Sequence, residues 1–414
     1  MSGSCFLPLR IRPIIHLWTR HPREFSMPAV RDRRRLARLP ALALVLALLA
    51  AVTDPAAADR ITRANLTVDT TGEEVLVRTR LTWTADGRGE PRPALGFWLA
   101  PGVTPESASA EGGRVLELSQ GEERLGRQEW VVRLPSPLAP GQSREIDLDL
   151  RIAGRGRSGI RTGAGGGALL PGAGWFPATR PEADERPTCS TGFLTADGVR
   201  GLGAGDAAGA GAWATKVPAR PWAVWGSWDE VEASLAGRPA VVYRPVGAEG
   251  EVPRADRIGE LLEAIETATG PLPGSGPLKV VHLDGGVIDG GLRTLFWDET
   301  RAASAGDDRD ALLVDREIGG GLAVAAWTER CRFVGDQAAF LSRALPLYLG
   351  DAAVVALDRS GDRLPTERVV IGSRRSEFLA GRAQGDRALA GLAPHGAESP
   401  WVLRTRGALV AHLV

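Results

Sequence analysis

The stretch that most constrains this chain runs from Ala311 to Gly350, ALLVDREIGGGLAVAAWTERCRFVGDQAAFLSRALPLYLG. Its apolar spacing predicts two helices joined by a charged loop. A helix that is apolar nearly all round must be buried on every side, so the fold has to be built around it. Gly319, Gly320 and Gly321 interrupt the first helix, each at a cost of up to about 1 kcal/mol in helix propensity. Three in a row predict that a neighbouring backbone comes close there. In the second helix Leu341, Ala344, Leu345 and Tyr348 form an i, i+3, i+4, i+7 stripe, with Arg343 on the opposite side. Pro346 has to kink this helix or mark its start.

A second local signal lies near the beginning. Arg31, Arg33, Arg34 and Arg35 precede the apolar run Leu39–Val52, and Ala56, Ala57 and Ala58 precede Asp59. A basic segment, a short apolar run and small residues make a secretory signal with cleavage near Ala58. A membrane anchor is the alternative, but the run is shorter than the roughly 20 residues that span a bilayer. The expectation is therefore an exported protein, periplasmic or extracellular, with no membrane span in the mature chain. Residues 1–26 read as a mis-assigned upstream segment, and residues 27–58 as the signal peptide starting at Met27. Export places Cys189 and Cys331 in an oxidising compartment, where they either pair or stand as separate buried thiols.

Fifty basic and fifty acidic residues cancel, which leaves no electrostatic footprint for nucleic acid. Lys216 and Lys279 are the only lysines. From Asp59 to about Ala153, short alternating runs separated by Asp86-Gly87, Gly112-Gly113 and Pro140-Gly141 predict an antiparallel sandwich. Within it Val75, Val77, Thr79, Leu81 and Trp83 share one face. The Gly-rich segment 154–167 reads as a loop, since a phosphate cradle would need a strand, a helix and normally a Lys around it. Residues 201–214 read as loop or hairpin. Strands return after Trp222 and end near Pro245. Residues 254–270 then form an amphipathic helix, with Ile258, Leu261, Leu262 and Ile265 on one face and Gly270 at its end. A buried strand follows over Leu278–Leu283.

Several segments, in order, resemble the aminopeptidase N-like zinc peptidases, or gluzincins. LLPGAGWFP (Leu169–Pro177) is similar to a segment late in their sandwich domain. Gly290-Gly291-Leu292-Arg293 stands where they carry G-x-M-E-N, with Arg293 at the Glu that binds a substrate's amine. The Ala311–Gly350 stretch resembles their H-E-x-x-H-x-W helix and the following E-G-x-x-x-Y helix. Anchored on Trp327, the two His positions fall at Gly321 and Ala325, the general base at Leu322 and the third ligand at Arg343. Anchored instead on Arg316 and Glu317, the His positions fall at Arg316 and Gly320, with Glu317 the one retained residue. Val402–Val414 resembles a later helix, with Arg404 at the position of the oxyanion-binding Tyr.

The resemblance implies an α+β fold: an N-terminal antiparallel β-sandwich (59–245) followed by a truncated thermolysin-like, gluzincin α/β domain (246–414). It also implies that zinc, the family's cofactor, lacks its ligands here. The functional expectation is an inactive peptidase-like protein, with no zinc and no other cofactor, that binds a peptide or protein or serves a structural role. The alternative is a hydrolase with relocated chemistry, drawing on His282, Asp284, Asp289, Asp298, Glu299 and Glu317. The remaining histidines of the mature chain, His395 and His412, read as core or surface residues.

Overall fold

The structure is a computed structural model and describes residues 59–374 apart from 154–158, 164, 183–184, 210, 284–288, 306–307, 331–339, 359–365 and 367. The expectations placed on residues 1–58, Asp284, Cys331, His395, Arg404 and His412 fall outside the described residues. No described helix is long and apolar enough to cross a membrane.

Among the described residues, the first part of the chain, up to Gly226, contains strands and turns but no helix. In order come β1 (Arg60–Asp69), β2 (Val75–Thr84), β3 (Arg92–Leu99), β4 (Val103–Ala110), β5 (Arg114–Val115), β6 (Leu118–Arg124), β7 (Arg127–Leu138) and β8 (Ser143–Ile152). Then follow β9 (Ile160–Arg161), β10 (Gly167–Leu169), β11 (Thr188–Leu194), β12 (Arg200–Gly203), β13 (Asp206–Gly209), β14 (Ala212–Ala214) and β15 (Ala223–Gly226). They build an eight-stranded sheet (β13-β14-β11-β1-β2-β8-β4-β5), a three-stranded sheet (β3-β7-β6) and a four-stranded sheet (β12-β15-β10-β9). One apolar core is common to all three, with Val77 and Leu148 from the first, Phe97 and Val132 from the second, and Leu169 and Trp225 from the third.

Period-2 alternation explains this layer. In β2, Val75, Val77, Thr79, Leu81 and Trp83 are all buried while the residues between them are not, as expected for a strand with one face on a core. Two expectations need correction. The sheet is not purely antiparallel, because β1 pairs in parallel with β11. The Gly-rich segment 154–167 is also not wholly loop, since β9 pairs with β10 there. Alternation fixes which residues share a face, not which distant strand lies alongside.

The second part contains β16 (Trp228–Leu235), β17 (Arg238–Pro245), α1 (Ala255–Thr269), β18 (Leu278–His282), β19 (Asp289–Gly291), β20 (Thr294–Trp297), α2 (Glu299–Ser304), α3 (Asp308–Trp327), a π-helical turn Phe340–Ala344 and α4 (Leu345–Ala356). Its five-stranded sheet runs β16-β17-β18-β20-β19. That sheet begins at Trp228, ahead of the boundary expected near Pro245, because β17 pairs in parallel with β18.

Helix α3 is buried at every residue from Val314 to Trp327, packed on α1, α4, β19 and β20. The glycine run allows this. A Cβ on Gly350 of α4 would collide with the backbone of Gly319 and Gly320, so the two helices meet backbone to backbone. Pro346 lies in the first turn of α4, where its missing N–H costs nothing. The turn before it is π-helical, so the stripe expected from Leu341 is carried fully only by the buried Ala344 and Leu345.

Candidate functional site

Where β19, α3 and the π-helical turn converge, Asp289, Gly290, Gly321, Ala325 and Arg343 come together. Strand β19 is the edge of the five-stranded sheet, and its backbone rests directly on α3. A Cβ built on Gly290 would collide with the Gly321 carbonyl oxygen and crowd the Ala325 nitrogen and Cβ. Leu322 is fully buried in the helical core. On the other side, a Cβ on Gly291 would meet the Trp222 indole and the Pro171 ring. The edge strand is thus gripped on both faces.

Arg343 closes the remaining gap. Its Nη1 lies 3.2 and 3.3 Å from the two carboxylate oxygens of Asp289, and its Nη2 donates to the Pro171 carbonyl at 3.0 Å. Both side chains of this ion pair are more than four-fifths buried. The guanidinium therefore ties the π-helical turn to the edge strand and to the Leu169–Pro177 segment. A cavity of about 20 Å³, room for roughly one water molecule, lies elsewhere, among Arg127, Glu185, Arg220 and the Trp175 loop.

Arg293 does not join Arg343. It sits in the tight turn between β19 and β20 with a left-handed backbone (φ 47°), and its Nη1 donates to the Leu272 carbonyl. Burial lowers its pKa, with Glu266 and Asp206 acting in the opposite sense.

The other candidates separate into two groups. In strand register Asp289 lies opposite Phe296, on the sheet face that packs toward Trp222. His282 lies beside Trp297, on the opposite face, where Trp297 joins the helical core. The His282 Nδ1 accepts from the Glu299 backbone at 3.1 Å. Asp298 caps α2 through Arg301 N, Glu299 is held by Arg244, and Glu317 pairs with Arg301 at 2.7 Å. Among these, the Glu299 Oε2 is buried without a hydrogen-bond partner among the described residues.

Cys189 is buried on β11, with its thiol pushed up by burial and, secondarily, by the Glu329 carboxylate. Glu329 belongs to a cluster that sequence reasoning missed. It accepts from Arg220 Nε at 2.7 Å and pairs with Arg186 at 3.5 Å, with all three side chains nearly inaccessible. Arg220 also donates to the Gly290 carbonyl. Arginine and glutamate separated by 109 residues leave no local pattern, so only the fold could join them.

The fold is that of the M1 zinc metallopeptidases. Solved structures similar to the chain include the M1 zinc metallopeptidase from Deinococcus radiodurans, at 16% identity and a TM-score of 0.57 over 86% of this chain and 82% of that one. A mutant of it bound to a Tyr-Ser-Ala substrate matches over the same shares, at 16% identity and a TM-score of 0.57. A two-domain M1 zinc metallopeptidase mutant bound to L-arginine matches at 17% identity and a TM-score of 0.56. No protein-family model matches the sequence, and no curated protein matches it.

Those solved structures are zinc enzymes, and the residues that the sequence resemblance sets at the ligand positions do not suit a zinc ion. Gly321 and Ala325 carry no side-chain donor atom, Arg343 is a cation with no lone pair to give, and the Gly290 backbone lies directly against Gly321 and Ala325.

Proposed function

We propose that this chain is an exported, peptidase-like protein that does not hydrolyse peptides and instead binds a peptide or protein or serves a structural role. The observation that carries the reading is the direct contact of Gly290 with Gly321 and Ala325, sealed by the Arg343–Asp289 pair. A hydrolytic zinc needs protein ligands, an open coordination position and a nearby base. Here the candidate ligand positions are glycine, alanine and arginine, and the base position is the core residue Leu322. The helix pair is retained as the centre of a packed domain, and its polar cleft is refilled by an ion pair and backbone. Export rests on the signal-like segment 27–58, and peptide or protein binding on the likeness of fold to peptidases.

Metal analysis of the purified protein, joined to assays on aminoacyl and peptidyl substrates with and without chelator, tests this reading. The expected result is substoichiometric zinc, unchanged thermal stability on chelation and no chelator-sensitive turnover. One tightly held zinc per chain overturns it. A second reading, hydrolysis by relocated groups, draws support from the Glu299 Oε2, which is buried without a hydrogen-bond partner among the described residues, and from the Glu299 backbone N–H that donates to His282 Nδ1. Chelator-insensitive turnover that disappears in Glu299→Gln protein would favour it.

A further inference from the structure

The five-stranded sheet has two edges, and they are built differently. Strand β19 is gripped on both faces, whereas β16, at the opposite edge, has only β17 beside it. Its eight residues pair with β17 from Trp228↔Pro245 to Leu235↔Arg238 without a bulge. Ala236 and Gly237 between them both have positive φ, 50° and 81°, as in the two-residue turns that fix hairpin register. Leu235 and Arg238 are the hydrogen-bonded pair closing that turn, so Ala233 and Val231 also bond to β17. The backbone N–H and C=O groups of Ser234, Glu232 and Glu230 then point out from the sheet. Among the described residues no further backbone hydrogen bond reaches them. Only the two ends of the strand, Trp228 and Leu235, are buried, and Asp229 to Glu232 are all exposed.

Proteins blunt such an edge with lysine, proline, a bulge, a very short strand or a covering segment. The sequence WDEVEASL of β16 uses none of these between Asp229 and Ser234, and carries negative charge instead. Glu230 pairs with Arg200 at 2.8 Å, Asp229 accepts from the Gly247 backbone, and Glu232 makes no ion pair among the described residues. By register, Glu230 and Glu232 lie on the sheet face of Tyr243 and Val241, while Val231 and Ala233 lie on the face of Val242 and Ala240. Two copies of this strand laid edge to edge would set carboxylates against carboxylates, which like charges disfavour. The same charges favour a basic strand. We propose that β16 is a strand-addition site for an extended basic segment of a partner protein, one that alternates arginine or lysine with apolar residues. Main-chain hydrogen bonds to Glu230, Glu232 and Ser234 supply affinity, and the alternation selects the partner. Basic residues of the added strand sit beside Glu230 and Glu232, and its apolar residues extend the Val231 and Ala233 face, where Ala233 already packs on the helical core. This surface rests on the peptide- or protein-binding role proposed above and not on the loss of zinc chemistry, which metal analysis tests separately.

The probe is a short capped peptide alternating valine and arginine, added to the full chain and followed by fluorescence anisotropy. Binding is expected to weaken as salt is raised and to disappear when glutamate replaces the arginines. Residue-resolved amide exchange should carry the signature of an added strand: Glu230, Glu232 and Ser234 gain protection, while Val231 and Ala233, already bonded to β17, do not. Glu232→Pro removes one outward N–H and keeps every bond to β17, since an edge strand tolerates proline where its nitrogen faces out. It should weaken the peptide by at least about fivefold, the worth of one hydrogen bond, at unchanged thermal stability. Glu232→Gln, which keeps the N–H, should bind less tightly and with a smaller salt dependence. Methylating alternate backbone nitrogens of the peptide, in one of the two possible registers, should abolish binding, and this arm decides if the Glu232→Pro protein does not fold. No binding, equal binding of an all-arginine peptide, or protection at residues outside β16 overturns the proposal. So does dimerisation of the full chain that Glu232→Pro abolishes, which would put a second copy on the edge.

Discussion

Arg343 and Asp289 show what a single residue does at this site. A guanidinium in a mostly buried setting is tolerable only because a carboxylate and the Pro171 carbonyl accept its donors. Removing one partner strands the other as a buried charge. Arg343→Met is therefore expected to destabilise the protein by about 2–4 kcal/mol in urea denaturation. Adding Asp289→Asn to it should recover part of that loss. Equal stability of Arg343→Met and the parent would mean that the pair does not hold the edge strand. From sequence, Arg343 stood out through the resemblance, and its place opposite the apolar stripe of its helix pointed away from the core. That it meets Asp289 was not legible, because the pair spans 54 residues and depends on the edge strand folding back over α3.

Among the elements, the contact of α3 with α4 has a clear sequence origin. Three consecutive glycines in an otherwise strong helical pattern are costly, and the structure gives the return: Gly350 sits against Gly319 and Gly320 with no room for a methyl group. Gly350→Ala isolates the two effects. Helix propensity alone predicts a gain of about 1 kcal/mol, while crowding two backbones predicts a loss of about 1–3 kcal/mol. A net loss in thermal or urea unfolding is expected, and a gain would show that the helices are not this close. Existence and face were readable for β2, α1 and α3, since periods of 2 and 3.6 report burial directly. The β1–β11 parallel pairing, the β9–β10 pair and the π-helical turn were not, because each depends on a partner far away in sequence.

At the scale of the whole molecule, the seam between the two parts is held by charge as well as by apolar burial. Trp222, Phe296 and Val281 share a core with Leu202 and Trp213, and beside it Glu329 receives Arg220 and Arg186. Glu329→Gln should remove the buried carboxylate that Arg220 and Arg186 share and cost about 3–5 kcal/mol. Unfolding monitored at the β1–β15 layer and at the helices should then separate into two transitions. A single transition with an unchanged midpoint would argue that the seam draws nothing from this cluster.

The sequence by itself determined the longer elements such as β2, α1 and α3, the faces that go inward and the absence of any side-chain lone pair for a metal at Gly321, Ala325 and Arg343, because side-chain chemistry and local periodicity are written residue by residue. Only the tertiary structure decided that β16 and β17 belong with β18, that the edge strand lies on α3, and that Arg343 and Glu329 find their partners across the molecule. Those contacts join residues tens to more than a hundred positions apart. Their energies depend on burial and distance, quantities that exist only once the chain has folded.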